Sequence, residues 1–292
     1  MNTLTKQTET STPVKEAPKT PLQIASNQIA AYMQKGTINL PEDYSPGNAL
    51  KEAWITIQSV ENLDKKPALS VCTQDSVVLA MLDMVIQGLN PQKKQCYFIV
   101  YGSKLICQRS YFGDMALALR IKPGTEFYYN VVREGEEFVQ EFVNGVNIVA
   151  SHKRGLASGK KILGAYFGAR LNGVDLGCDV MDIERIKKSW GMSKTYKPDG
   201  NSPHNKFEDE MAIRTVCRHY LKPIINSSND AMLIESVRRQ EIDAIEGDAS
   251  EIAALSANAA PLELPQKQEQ AEPTQGVDQE TGEVTAAGGL EF

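Results

Sequence analysis

Polar or cationic side chains and aromatic side chains, both of which can bind a polynucleotide, lie close together in one stretch of the chain. Gln108 and Arg109 precede the aromatic pair Tyr111 and Phe112, and Arg120 follows nine residues after Tyr111. An aromatic ring can stack on a base of any identity, which contributes roughly 1–3 kcal/mol per base. A guanidinium beside it can neutralise a phosphate. Core packing is the other interpretation of the two rings, so the pattern indicates either a nucleic-acid contact or a buried helix start.

A second cationic stretch, residues 151–161, reads SHKRGLASGKK and contains two glycines. It resembles a phosphate-binding loop, but it is one residue short between Gly155 and Gly159. It also has Lys161 where a Ser or Thr should bind magnesium. We therefore exclude a nucleotide loop. The stretch suits contact with a DNA backbone, and an exposed hairpin tip is the alternative.

No enzyme site can be assembled from the remaining residue types. The three histidines (His152, His204 and His219) have no carboxylates at metal-ligand spacing. Asp175 and Asp179 are the only pair resembling nuclease metal ligands on a strand. Five cysteines without a C-x-x-C pair argue against zinc and against a disulfide framework, and they fit a reducing cytoplasm. We predict a non-enzyme without metal or cofactor.

The net charge of −6 is distributed unevenly along the chain. Residues 90–225 carry 21 Lys and Arg against 14 Asp and Glu, a net charge of +7, whereas residues 226–292 carry 3 against 14, a net charge of −11. A basic middle followed by an acidic tail is typical of a polyanion-binding core with a solvating tail. A basic core that faces an acidic protein partner, as in an adaptor or assembly protein, is the alternative.

Cations that lie beside aromatic residues, glycine-containing loops or amphipathic helices are candidate DNA contacts. For one of them, Arg214, an intrahelical ion pair with Glu210 is the other interpretation. The candidates are Lys93, Lys94, Lys104, Gln108, Arg109, Tyr111, Phe112, Arg120, Arg133, His152, Arg154, Lys160, Lys161, Arg170, Lys187, Lys188, Trp190, Lys194, Arg214 and Arg218.

Helix and turn signals indicate the elements that must position these candidates. Ser110 is a predicted N-cap, because its hydroxyl can accept a backbone N–H of the first turn. Alternating apolar residues on both sides of residues 133–136 predict a β-hairpin, and the pairs Asn144-Gly145 and Asn172-Gly173 predict two more. Residues 207–221 and 230–245 are predicted helices. The fold class is α+β, an antiparallel β-sheet and hairpins packed with several helices and flanked by disordered termini.

Composition divides the chain into four parts. Residues 1–20 and 247–292 are predicted to be disordered, the latter as an acidic tail. Residues 21–225 form the predicted DNA-binding and oligomerisation core, and residues 226–246 form a C-terminal helix. No run of about 18 apolar residues exists, so we expect a cytoplasmic protein that does not span a membrane.

The order of a strand, the helix YFGDMALALR and the segment VVREGEEFVQEF resembles the RecT family of phage single-strand annealing proteins. The likeness extends more loosely from about residue 50 to about residue 225, through LDMVIQGLNP and FEDEMAIRTVCRHYLK. Where the family commonly has Tyr-Arg-Gly, this chain has Tyr111-Phe112-Gly113, so either ring is a candidate for contact with DNA.

The resemblance implies a recombinase of a bacterial host cell that binds single-stranded DNA and anneals complementary strands into duplex DNA without ATP. It further implies a homo-oligomer, either a ring or a helical filament. Protein partners such as a phage exonuclease or a host single-strand-binding protein would be met through the C-terminal region.

Overall fold

The computed structural model describes residues 19–155, 160–192 and 196–246. Within them the fold is α+β, as predicted. The helices are α1 (Pro21–Gln34), α2 (Pro46–Gln58), α3 (Ala68–Val71), α4 (Gln74–Ile86), α5 (Tyr111–Ile121), α6 (Ile183–Trp190), α7 (Pro203–Lys206), α8 (Glu208–Asn226) and α9 (Ala231–Glu246). The strands are β1 (Cys96–Tyr101), β2 (Lys104–Arg109), β3 (Thr125–Arg133), β4 (Glu137–Val143), β5 (Val146–Lys153), β6 (Ile162–Leu171) and β7 (Val174–Asp182).

The buried apolar residues form two clusters. In the first, α1, α2 and α4 pack against the β1–β2 hairpin. Nine of the thirteen residues of α4 are buried, so this helix is the centre of the cluster. In the second, α5, α6, α8 and α9 pack with the antiparallel sheet β3-β6-β7 around Phe167. The two predicted disordered termini lie outside the described residues, apart from Lys19 and Thr20, where Thr20 caps α1.

Local sequence signals correctly predicted several element ends. The hydroxyl of Ser110 accepts the backbone N–H of Gly113 at 3.1 Å and caps α5. Both Asn-Gly pairs form two-residue turns, in which Asn144 and Asn172 adopt φ angles of 51° and 52°. Helix α9 agrees with the prediction for residues 230–245, whereas α8 continues past Leu221 to Asn226.

The predicted hairpin around residues 133–136 is wrong. A tight turn is present, since the Glu136 N–H donates to the Arg133 carbonyl at 3.1 Å. The flanking strands nevertheless pair elsewhere: β3 with β6, and β4 with β5. The reason is burial, because β6 is buried along most of its length and supplies the apolar partner for β3, whereas six of the seven residues of β4 are exposed or nearly so.

Helix α5 begins in close contact with the backbone that precedes β1. A Cβ atom added to Gly113 would lie 2.1 Å from the carbonyl oxygen of Gln95 and 2.6 Å from the Cγ of Arg109. Only a residue without a side chain fits there. This contact fixes the aromatic pair at the start of α5 beside the end of β2.

We expect Gly113→Ala to lower the free energy of unfolding by about 2–3 kcal/mol, because the backbone oxygen of Gln95 has to shift to admit a methyl group. Urea unfolding followed by circular dichroism measures the change. Gly47→Ala is the matched control in the first turn of α2, where nothing lies within 4 Å of the added Cβ. It should be neutral or stabilising by about 0.5–1 kcal/mol. Equal stability of the two variants would contradict the close approach at Gly113.

Candidate nucleic-acid interface

Helix α8 places three cations on one face. Arg214, Arg218 and Lys222 are spaced four residues apart, and a rise of 1.5 Å per residue spreads them over about 12 Å. The first turn of the helix contains Glu208, Asp209 and Glu210, which suits the positive end of the helix dipole. The cationic row therefore belongs to the middle and the second half of the helix.

A cleft of about 260 Å³ separates this face of α8 from the end of β2 and from α9. We call it the α8 cleft. Its lining residues are Gln108, Arg109, Asp114, Arg218, Lys222, Ile225, Asn226, Gln240 and Glu241. The fold thus brings Arg218 together with Gln108 and Arg109, two predicted DNA contacts that lie more than a hundred residues before it in sequence.

Arg109 is anchored on three sides. Its guanidinium forms an ion pair with Asp114 and donates to the Gln87 and Gln240 side-chain oxygens at 2.7 and 3.3 Å. The Arg109 side chain is 11% exposed and that of Asp114 6%. The same carboxylate lies 3.4 Å from the Nε of Arg218. Arg109 therefore holds β2, α5, α8 and α9 together, and little of it faces solvent.

The charged groups of Arg218 and Lys222 are more exposed to the cleft than that of Arg109. The Nη2 of Arg218 donates to the Arg109 carbonyl at 2.9 Å, which fixes the direction of its side chain. Lys222 has a side chain that is 61% exposed, 3.5 Å from Glu241. Lys222 was not among the predicted contacts, although its spacing of four from Arg218 was a signal that could have found it.

The aromatic pair lies half-buried at the start of α5. The rings of Tyr111 and Phe112 are 4.0 Å apart between centroids, and burial raises the pKa of the Tyr111 hydroxyl. Tyr129 is close enough to act on that hydroxyl electrostatically. Its own ring stacks on Phe167 at 5.4 Å and is 36% exposed. Tyr129 is a further candidate that was not among the predicted contacts.

A second cationic group surrounds the turn at residues 133–136. Arg133 donates to the carbonyl of Lys160 at 2.6 Å and forms an ion pair with Asp209 at the start of α8. The Glu134 N–H donates to the Lys161 carbonyl at 3.0 Å. These bonds hold the backbone of Lys160 and Lys161 in place while both residues are exposed.

His152 and Arg154 lie on the other side of the same turn. The ring of His152 is within 3.1 Å of both the Glu136 carboxylate and the Tyr166 hydroxyl. Burial tends to raise the pKa of Glu136, but the Arg133 N–H and His152 bond to this carboxylate and the net effect is a lowered pKa. The Arg154 guanidinium is 3.8 Å from Glu136 and is half exposed. His152 therefore ties β5 to β6, and Arg154 can still reach a ligand.

Some of the predicted DNA contacts on and near α6 are exposed and others are buried. Lys188 is exposed, and Lys187 is exposed but lies 2.9 Å from Glu208. Trp190 at the end of α6 and Arg214 on α8 are each only 4% exposed. Contact of these two side chains with DNA stays a prediction, and it requires access to the interior.

The remaining candidates lie elsewhere. Lys93 and Lys94 precede β1, where the Ser110 hydroxyl donates to the Lys94 carbonyl at 2.6 Å. Lys104 is at the opposite end of the β1–β2 hairpin from Arg109. Arg120 donates to the Ile86 and Asn39 carbonyls and forms an ion pair with Asp230. Arg170 forms an ion pair with Asp175 and covers the Tyr128 ring. Lys194 lies outside the described residues.

Comparison with known proteins identifies the family. A family model described as the RecT family matches residues 47–253, which is most of the chain. The chain belongs to the RecT family. It is therefore a recombination protein of the single-strand annealing class. No curated protein matches it.

Two observations complete the description of this RecT-family chain. No group of three or more His, Cys, Asp or Glu side chains able to hold a metal ion occurs in the part of the chain that the structure describes. No helix among those residues is long and apolar enough to cross a membrane.

We expect Asp114→Asn to lower the free energy of unfolding of this RecT-family protein by about 3 kcal/mol or more, because two guanidinium groups lose the carboxylate between them. Urea unfolding at neutral pH measures the loss. The control is Glu137→Gln, which removes the carboxylate of an exposed ion pair with Lys153 and should cost less than about 1 kcal/mol. Similar losses in both variants would contradict the central role of Asp114.

Proposed function

We propose that the protein binds single-stranded DNA in the α8 cleft and anneals complementary strands without a nucleoside triphosphate. The observation that carries the proposal is the pair of cations Arg218 and Lys222, which line the α8 cleft opposite the end of β2. The half-buried Tyr111 and Phe112 begin α5, the helix whose Asp114 lies in the wall of the same cleft. In this arrangement Arg218 and Lys222 bind phosphates, and the aromatic rings support the bases. The bases therefore stay available for pairing.

The energy for annealing comes from the DNA. Each stacked base-pair step releases about 1.4 kcal/mol, so a protein that only holds and aligns a strand needs no fuel. Watson–Crick pairing also selects the partner strand, which means that the protein need not distinguish bases. A non-catalytic protein without cofactor satisfies both requirements.

Charge separates the proposed core from the proposed tail. Residues 21–225 would form the DNA-binding and oligomerisation core, and residues 226–246 the C-terminal helix. The acidic residues 247–292 would be repelled by DNA and would be left for protein partners such as an exonuclease or a single-strand-binding protein. A homo-oligomer, ring or filament, would extend the cleft from one subunit to the next in the cytoplasm of a bacterial cell.

The exposed lysines at residues 160 and 161 extend the proposed path of the strand. Their backbone is fixed by Arg133 and Glu134, so the two residues stay beside the turn at residues 133–136. Arg133 is in turn paired with Asp209 at the start of α8. The two cationic groups therefore meet at this helix, one near its first turn and one along its second half.

We expect Lys222→Ala to weaken binding to a labelled oligo(dT) and to reduce the slope of log K against log salt by roughly 0.7, the value for one lost phosphate contact on a single strand. Fluorescence anisotropy over a salt series measures both. Lys51→Ala removes an exposed lysine from α2, away from the cleft, and should change neither. An unchanged slope for Lys222→Ala would contradict the proposed cleft.

Replacing Lys160 and Lys161 together by Ala should lower DNA affinity without altering the unfolding midpoint, because both residues are exposed. Leu82→Ala should do the reverse, since Leu82 is buried in α4 and a truncation of this kind costs about 2–5 kcal/mol. Filter binding and urea unfolding of the same preparations separate the two effects. If the double lysine variant binds DNA normally, the strand does not pass this turn.

Two complementary oligonucleotides added in sequence, without any nucleotide, test the activity itself. We expect duplex to form faster with protein than without it, and the gel to show no magnesium-dependent cleavage. An acidic protein added as competitor should leave the DNA bound, whereas displacement by it would favour the adaptor alternative. Annealing that requires ATP would overturn the proposal.

A further inference from the structure

A second cavity lies against α8. It has a volume of about 140 Å³, and its walls include Trp190, His204, Arg214, Thr215 and Arg218. One water molecule needs only about 10–15 Å³ of such space. An apolar cavity of roughly 150 Å³ can hold a benzene ring, so this cavity has room for one planar ring of about that size. We call it the Trp190 cavity.

The aromatic wall of this cavity is held in a fixed orientation. The indole N–H of Trp190 donates to the Thr215 hydroxyl oxygen at 2.8 Å, and the Thr215 hydroxyl donates to the Met211 carbonyl at 2.9 Å. The rings of Trp190 and His204 are 4.9 Å apart between centroids. Since the polar edge of the indole is bound to α8, a ligand in the cavity would meet the part of the ring that His204 and Tyr196 leave uncovered.

The charges around the cavity favour a ligand that carries phosphate. Arg214 and Arg218 both line it, and its described lining contains no carboxylate. The α8 cleft differs in this respect, because Asp114 and Glu241 lie in its wall. Arg218 belongs to both walls. A strand whose phosphate contacts Arg218 in the cleft therefore has a neighbouring space, lined with aromatic rings, within reach of its base.

We propose that the Trp190 cavity accepts one unpaired nucleobase of the strand bound in the α8 cleft, an inference that rests on the proposed function. Stacking on an aromatic face tolerates any base, so the pocket needs no sequence preference. A base within a duplex must first be unpaired and unstacked before it can enter, whereas a base of a single strand is free to do so.

This difference gives the pocket a role in annealing. It holds a single strand in place before pairing, and it releases the base when the complementary strand arrives. The pocket by itself therefore favours the single strand over the finished duplex. The other role for Trp190 is a purely structural one within the second apolar cluster, and this role predicts no response of the indole to a base.

Fluorescence separates these two roles, because the chain contains only two tryptophans. In a Trp54→Phe protein, Trp190 is the only indole. We expect oligo(dT) to quench its emission, and a matched strand of abasic sites, which keeps every phosphate, to bind at low salt without quenching. Addition of oligo(dA) to the oligo(dT) complex should restore the emission. Fluorescence anisotropy of labelled strands reports binding in parallel.

The outcomes are distinct. Binding of oligo(dT) without quenching, or equal quenching by the abasic strand, would overturn the base pocket and leave the proposed function intact. Absence of any binding would overturn both.

As a second test, Trp190→Leu should weaken oligo(dT) binding roughly tenfold and abasic-strand binding little. An equal loss for both strands would point to a structural role and overturn the pocket.

Discussion

The candidate interface depends on the ion pairs that the buried carboxylate of Asp114 forms. This carboxylate lies between the guanidinium groups of Arg109 and Arg218, which come from β2 and α8. Arg109 also binds Gln87 and Gln240, so one network joins elements of both apolar clusters. A buried charge is tolerated only when it is paired and hydrogen-bonded. The three charged side chains therefore fix the separation of β2 and α8, and with it the width of the cleft.

The cations of this protein fall into two classes with different roles. Arg109 and Arg120 are buried for most of their length, and they hold elements together. Lys222, and the pair at residues 160 and 161, extend into solvent. An arginine suits the first role because its planar group can satisfy several acceptors at once. A lysine suits the second, since its flexible stem can follow a mobile phosphate.

Local sequence signals and tertiary burial disagree at β3 and β4. The turn at residues 133–136 forms as its residues predict, but β3 leaves it to pair with β6, and the segment 137–153 forms a separate hairpin. Turn chemistry determines where a chain reverses. Which strand lies beside it depends on where its apolar face can be buried, and for β3 that place is the sheet with Phe167, packed against α8.

The sequence by itself determined the fold class, the cap at Ser110, the Asn-Gly turns and the family, because these follow from neighbouring residues or from an ordered series of motifs. It also indicated that the basic residues lie in the middle of the chain. Only the tertiary structure decided which cations face solvent and which are buried with a carboxylate. The reason is physical: Arg109 and Arg218 are separated by more than a hundred residues, and their shared partner Asp114 becomes visible only when β2, α5 and α8 have packed together.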